Sequence, residues 1–209
     1  NLLVSVDTIL AHNEFDIKFY KGLFPTKPIN TIPPIMIHHL LKEIKPNPIE
    51  KVMIGGNFAR WYGGFQSYIV ADELGVDKWI PSSHAQRKNE GDIPDLNQLP
   101  RLSWVEWMNV LSTFKYAVHL MPTAAAGTFS LNCAYFGIPC IGNKNVDTQN
   151  ICHPDLSVDV DDIEKARTLA RRLKEDKNFY AQCSNTSKQN YKEHYNIKKW
   201  KSNMNLNLQ

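Results

Sequence analysis

The sequence predicts an α/β fold built on a doubly wound parallel sheet. Three observations carry that expectation. From Val52 to Val158, short apolar runs alternate with stretches of helical periodicity, the pattern of successive β-α-β units. Glycines punctuate the alternation: Gly55-Gly56 ends a strand, while Gly75 and Gly137 end helices. The composition is that of a folded chain, with 43% hydrophobic and 22% charged residues among 209. That length holds one large domain, or one domain and a piece of another. Disorder, collagen and coiled coil are excluded as whole-chain readings. No apolar run approaches the roughly 20 residues that span a bilayer.

Each element can be justified in order. Thr8–Ala11 is a short β-like run. Asn13 can cap a helix carrying Phe15, Phe19, Leu23 and Phe24 at helical spacing. Pro25 and Pro28 end that helix. Ile29–Ile32 is strand-like and runs into Pro33-Pro34, and Ile35–Ile44 fits a short helix. Lys45-Pro46-Asn47-Pro48 is a linker. Residues 1–50 therefore separate from a unit that spans 51–209.

That second unit opens with a buried strand, Val52–Ile54. A helix follows over Phe65–Leu74, then a strand at Lys78–Ile80. Pro81–Pro100 is polar and rich in turn residues, which predicts a long loop. Ser103 caps a helix over Trp104–Phe114. Tyr116–Met121 is a strand, Thr128–Phe136 a buried helix, Ile138–Ile141 a strand and Leu156–Val158 a short one. Asp161, with Glu164 three residues on, predicts a capping box. Helices then fill Ile163–Asp176, Phe179–Tyr195 and Lys198–Asn203.

The net charge of +3 is unevenly placed. Residues 163–201 hold eleven Lys/Arg against four Asp/Glu, while the rest holds 13 against 17. This run reads as a solvated helical face, or as an electropositive face for an anionic ligand or membrane. No zinc-finger spacing or aromatic-and-glycine signature points to nucleic acid. Cys133, Cys140, Cys152 and Cys183 form no C-x-x-C pair, so a reduced, cytoplasmic compartment is expected and no metal. The chain begins at Asn1 without a basic start or clean apolar core, so it reads as part of something longer and not as a signal peptide.

Three constellations could carry chemistry. Gly55-Gly56-Asn57-Phe58-Ala59-Arg60 follows a strand directly. Two glycines let the backbone approach a ligand, turn amides can hold phosphate, and Arg60 can bind a diphosphate bidentately. In Pro122–Gly142 a strand ends in small residues and a helix starts near Thr128. Gly127, Thr128, Phe129 and Ser130 would present amides and hydroxyls to an anion, with Asn132 one turn later for a ribose. Lys144, Asp147 and Gln149 lie after the next strand, where such folds place ligand loops, and form a candidate donor loop. The bland readings are tight turns, close helix–sheet packing and an ordinary polar loop. His84, His119 and His153 are lone histidines, and no catalytic base is assigned among them.

These pieces, in this order, resemble the carboxyl-terminal, donor-binding half of a GT-B glycosyltransferase, most like the retaining family 4. Pro122-Thr123 stands near that family's Pro-Ser. Asn132-Cys-Ala-Tyr-Phe-Gly137 stands where E-A-x-A-x-G would be, and Ile138-Pro139-Cys140-Ile141 matches x-P-V-I. Leu156-Ser-Val-Asp-Val-Asp-Asp162 resembles L-x-V-D-P-D-D, and Tyr191–Trp200 the Y-S…W tail. Ile32-Pro33-Pro34 resembles the I-P-N-G stretch that closes the amino-terminal domain. The resemblance implies a Rossmann-like domain over 51–209, preceded by the closing β-α-β and linker of its partner domain. It implies a nucleotide-sugar donor and a carbohydrate or lipid-linked acceptor, with no cofactor, no metal and no nucleic acid. A cytoplasmic enzyme with peripheral membrane contact through Arg171, Arg172 and Lys174 would fit. The chain departs from the family at its E-x7-E motif, whose glutamates fall on Ala124 and Asn132. Asn132 can still bond a hydroxyl, but Ala124 cannot reach a sugar. The donor sugar and the retaining or inverting outcome stay open. Other readings are an epimerase-like sugar-nucleotide enzyme and a noncatalytic Rossmann-like module.

Overall fold

The computed structural model describes residues 2–56, 58, 60–82 and 93–207. It contains a parallel pair, β1 (Ile9–Ala11) and β2 (Ile29–Thr31), and a six-stranded sheet. The sheet's strands are β3 (Ile49–Ile54), β4 (Asp77–Ile80), β5 (Leu96–Gln98), β6 (Phe114–His119), β7 (Cys140–Asn143) and β8 (Ser157–Val158). Their order is β5-β4-β3-β6-β7-β8, with all five pairings parallel. The order reverses at β3, so the chain is doubly wound with its switch point between β3 and β6. Val52, Met53 and Ile54 are fully buried, as expected of a central strand covered on both faces.

The helices are α1 (Leu2–Ser5), α2 (Glu14–Leu23), α3 (Gly64–Asp72), α4 (Trp104–Leu111), α5 (Thr128–Phe136), α6 (Asp147–Cys152), α7 (Ile163–Glu175), α8 (Lys177–His194) and α9 (Ile197–Asn207). Helix α3 with the turn after it, and α7, bury Val70, Leu74, Ala170 and Leu173 against Val52, Ile54, Tyr116 and Val118. On the other face α4 and α5 bury Met108, Leu111, Leu131 and Ala134 against Met53, Phe114 and Ala117. Helix α8 serves both cores, with Phe179 and Cys183 in one and Tyr191 in the other. Ile9, Ala11, Ile17 and Ile29 form a separate small core around β1, β2 and α2. Among the described residues no helix is long and apolar enough to cross a membrane.

Four expectations are corrected. The polar stretch after Pro81 contains strand β5 at the sheet edge, where a single neighbour suffices. The region 35–44 forms only a 3-10 turn at His38–Leu40, hemmed between Pro33-Pro34 and Pro46. The loop expected over Asn143–Asn150 contains α6. Helix α7 is capped by Asp162, which accepts from Lys165 N, and Glu164 instead pairs with Arg167.

The Ser103 cap holds. Its Oγ accepts from Glu106 N, and Glu106 Oε2 accepts from Ser103 N at 2.8 Å. Ser103→Ala should cost about 1 kcal/mol in urea denaturation. A midpoint unchanged in the variant would mean that water serves the helix end equally well.

Candidate functional site

The carboxyl ends of β3 and β6 define the crevice at the switch point, where doubly wound sheets bind ligands. Gly55 continues the ladder, its N donating to Val118 O at 2.9 Å. Gly56 has φ +80°, a left-handed conformation that favours glycine. A 3-10 turn, Arg60–Tyr62, leads to Gly63 (φ +63°) and into α3. Asn57 lies outside the described residues, as does His84, and so does the side chain of Arg60; the backbone of Arg60 begins the 3-10 turn. Thr123 Oγ1 donates to Trp61 O at 2.9 Å, tying this turn to the loop between β6 and α5.

That loop ends at Gly127 (φ +69°), which precedes α5. Thr148 Oγ1 donates to Gly127 O at 2.7 Å from behind. No side chain caps α5, in contrast to α2, α4, α7 and α8. Its first turn, Thr128–Ser130, therefore carries the donor character of an open helix start. The Ser130 hydroxyl is not part of that offer. It is buried, bonded to Gly127 O and Thr148 Oγ1, and its carbonyl meets His153 Nε2 at 3.0 Å. Asn132 also faces inward. With its amide oriented to suit both neighbours, Nδ2 donates to Thr128 O and Oδ1 accepts from Trp107 Nε1, each at 3.2 Å.

The three candidate donor-loop residues do not converge. Lys144 pairs with Asp159 at 2.8 Å on the surface. Gln149 is buried, and its Nε2 donates to Cys140 O and Leu156 O. Asp147 Oδ2 accepts from Glu14 N at the start of α2, and burial pushes its carboxyl up from the ordinary range. Beside it, Asn13 Nδ2 donates to Ala125 O at 3.3 Å while its Oδ1 caps α2. The β6–α5 loop is thus held by the first fifty residues as well as by the sheet.

Two cavities open at this end of the molecule and share Trp107. One, of ≈ 420 Å³, is lined by Pro34–Ile37, Trp104, Trp107, Thr128, Leu131 and Asn132. The other, of ≈ 340 Å³, lies past the ends of β4 and β5 between Pro81-Ser82 and Leu99–Leu102. Phe129 packs between Trp107 and His119, with ring centroids 6.4 and 5.0 Å away. The His119 ring lies under the glycine turn: a methyl on Gly55 would come within 2.6 Å of its Cγ. Burial pushes both His119 and His153 down to about 4. Sequence reasoning missed Trp107, Trp104 and Arg101. The signal available was the Ser103-capped helix starting just past a strand end, which places two tryptophans at the cleft.

The basic run of α7 is largely spent within the chain. Arg167 and Arg171 converge on Glu73 at 2.5 and 2.9 Å, which holds that carboxyl below its usual range. Arg172 lies over the Phe179 ring. All four cysteines are free and buried.

Neither any family model nor any curated protein matches the sequence. Solved structures do match the fold. A Staphylococcus aureus TarM mutant, in complex with fondaparinux, alpha-GlcNAc-glycerol and UDP, superposes with a TM-score of 0.72 at 11% identity, over 97% of this chain and 44% of that one. Sucrose-phosphate synthase from Thermosynechococcus elongatus gives 0.73 at 14% identity, over 97% and 57%. The pneumococcal O-GlcNAc transferase GtfA, in complex with UDP and GlcNAc, gives 0.71 at 11%, over 98% and 45%. The shared architecture is the GT-B one. The chain spans about half the length of these GT-B proteins, and its six-stranded parallel sheet corresponds to their Rossmann-like carboxyl-terminal domain.

Proposed function

We propose that this chain is the donor-binding part of a glycosyltransferase, holding a nucleotide-activated sugar and stabilising the nucleoside diphosphate as it leaves. One observation carries the reading: at the switch point, a left-handed glycine turn and an uncapped helix start flank the same crevice, beside two cavities that share a tryptophan. Open amides at a glycine turn and a helix start suit the charge that grows on a departing diphosphate. UDP in the structures of TarM and GtfA supports the choice of ligand. On this reading residues 51–209 bind the donor and residues 1–50 close the partner domain. The amides of Gly56, Thr128 and Phe129 face the diphosphate, with Gly55, whose own N–H is spent on Val118 O, setting the turn, and Arg60 adds a cation. Asn132 acts at one remove by fixing Trp107 and the first turn of α5. Acceptor chemistry belongs to the rest of the longer enzyme.

Titration calorimetry with UDP, GDP and dTDP tests this. Binding of one of them at sub-millimolar affinity, abolished by Arg60→Ala, is the expected result. Asn132→Ala should weaken the same binding by about 1–3 kcal/mol, because Trp107 Nε1 loses its acceptor. Silence from all three nucleotides would sink the donor reading in favour of a noncatalytic module. Sugar-transfer assays on the longer enzyme separate a transferase from an epimerase, which interconverts donors without an acceptor.

A further inference from the structure

We propose that His119 is a ligand-contacting residue of this crevice, its Nε2–H donating to a phosphate oxygen of a nucleotide seated over the Gly55–Gly56 turn. The proposal rests on the nucleotide-site reading above and adds a residue to it.

The argument starts from the strand. β6 ends at His119, on the same face of the sheet as Ala117, because side chains alternate along a strand. That face is covered by α4 and α5, so the ring is enclosed by Phe129 on one side and the glycine turn above. Nε2 is shielded from solvent and has no hydrogen-bond partner among the described residues. A buried polar atom left unmet is costly, and native structures rarely keep one without a use. His153 differs: it is more deeply buried, its Nε2 is met by Ser130 O, and the nitrogen it leaves unmet is Nδ1.

The direction of Nε2 supplies the second observation. A methyl on Gly56 would stand 3.3 Å from it, with Tyr62 Cβ at 3.1 Å on the other side. Nε2 therefore faces Gly56, where only glycine puts no side chain between the ring and Tyr62. Gly56 needs its left-handed backbone and Gly55 needs its bare Cα for the ring to lie there. Turn and imidazole are fitted to each other, and an oxygen lodged over the turn, with the exposed Tyr62 side chain moved aside, would meet the Gly56 amide and Nε2 together. Burial keeps the ring neutral at pH 7. A neutral imidazole with its proton on Nε2 is a single directed donor. It fixes where the oxygen sits, and leaves charge balance to Arg60 and the helix start.

The test uses the chain labelled with 15N-histidine, titrated in turn with UDP, GDP and dTDP and watched at the ring nitrogens. The expected result is a shift of the His119 Nε2 signal at saturation, in the protonated-Nε2 tautomer, with His153 unmoved. His119→Phe should bind the nucleotide about ten-fold or more weakly. His119→Gln, which keeps a donor, should recover part of the loss, and affinity for the nucleoside alone should be the same in all three chains. If His119→Phe fails to fold, the ring signals of the unaltered chain decide. Nucleotide binding with an unmoved His119 signal overturns this assignment and leaves the nucleotide site standing. No binding by any of the three nucleotides overturns both.

Discussion

Gly63→Ala should cost the fold about 3 kcal/mol or more. Gly63 precedes α3 at φ +63°, where a side chain costs roughly 1–2 kcal/mol. Its Cβ would also fall onto the carbonyl of Leu120, well inside contact distance, with Pro122 Cδ at 3.2 Å. The obstacle is backbone of the central strand's extension and cannot turn aside, so overpacking adds about 1–3 kcal/mol. Gly22→Ala is the matched control. Gly22 lies in α2 with nothing within 4 Å of the added methyl, so the same change there should stabilise by about 0.5–1 kcal/mol. Chemical denaturation of both variants checks the pair, and equal midpoints would refute the account of Gly63.

The second large effect is acid sensitivity between pH 6.5 and 4. His119 and His153 titrate at about 4 in the fold, against 6.5 for a free histidine, because burial penalises the charged ring. As pH falls through 6.5 the unfolded chain takes up protons that the folded chain refuses until near 4. The stabilisation is therefore complete above 6.5 and is lost progressively across that window, at up to about 3 kcal/mol per histidine. Two such losses are comparable with the whole stability of an ordinary domain. His38, lowered by burial to a smaller degree, acts in the same direction. Glu73 and Glu106 are held below their ordinary 4.5 by hydrogen bonds, so their contributions are lost only at lower pH. Melting temperatures at pH 7, 5.5 and 4.5 should fall steeply, and His153→Asn should flatten the slope. Parallel slopes in the two chains would show that His153 is not the titrating group.

What was legible in the sequence follows from what each residue must satisfy. Strand β3 was legible because burial on both faces leaves Val52-Met53-Ile54 unbroken. Strand β5 was not, since an edge strand of Leu96-Asn97-Gln98 has one neighbour and two exposed side chains. Helix α6 read as a loop because its inward residues, Thr148 and Gln149, are polar and buried. The left-handed turn at Gly56 was legible from a glycine pair directly after a strand. The roles of Ser130 and Gln149 were not, because a hydroxyl or amide that serves the fold is chemically the same as one that serves a ligand. The distinguishing partners, Thr148 for Ser130 and Cys140 O for Gln149, become neighbours only when the chain is folded. Asn132 likewise meets Trp107 only across two helices.

The bonds from Asn13 to Ala125 O and from Glu14 N to Asp147 give the first fifty residues a grip on the loop that opens α5 and on the start of α6. Ala125 lies two residues before Gly127, so the grip acts on a very short lever. Rocking the amino-terminal unit against the sheet has to break these two bonds or drag the helix start with it. These two hydrogen bonds, of about 1 kcal/mol each, add to the hold of Met36 and Leu41 in the main core and of His38 on Tyr191. On the proposed function, an acceptor closing from the amino-terminal side and a donor held at the helix start would feel each other through a single tripeptide.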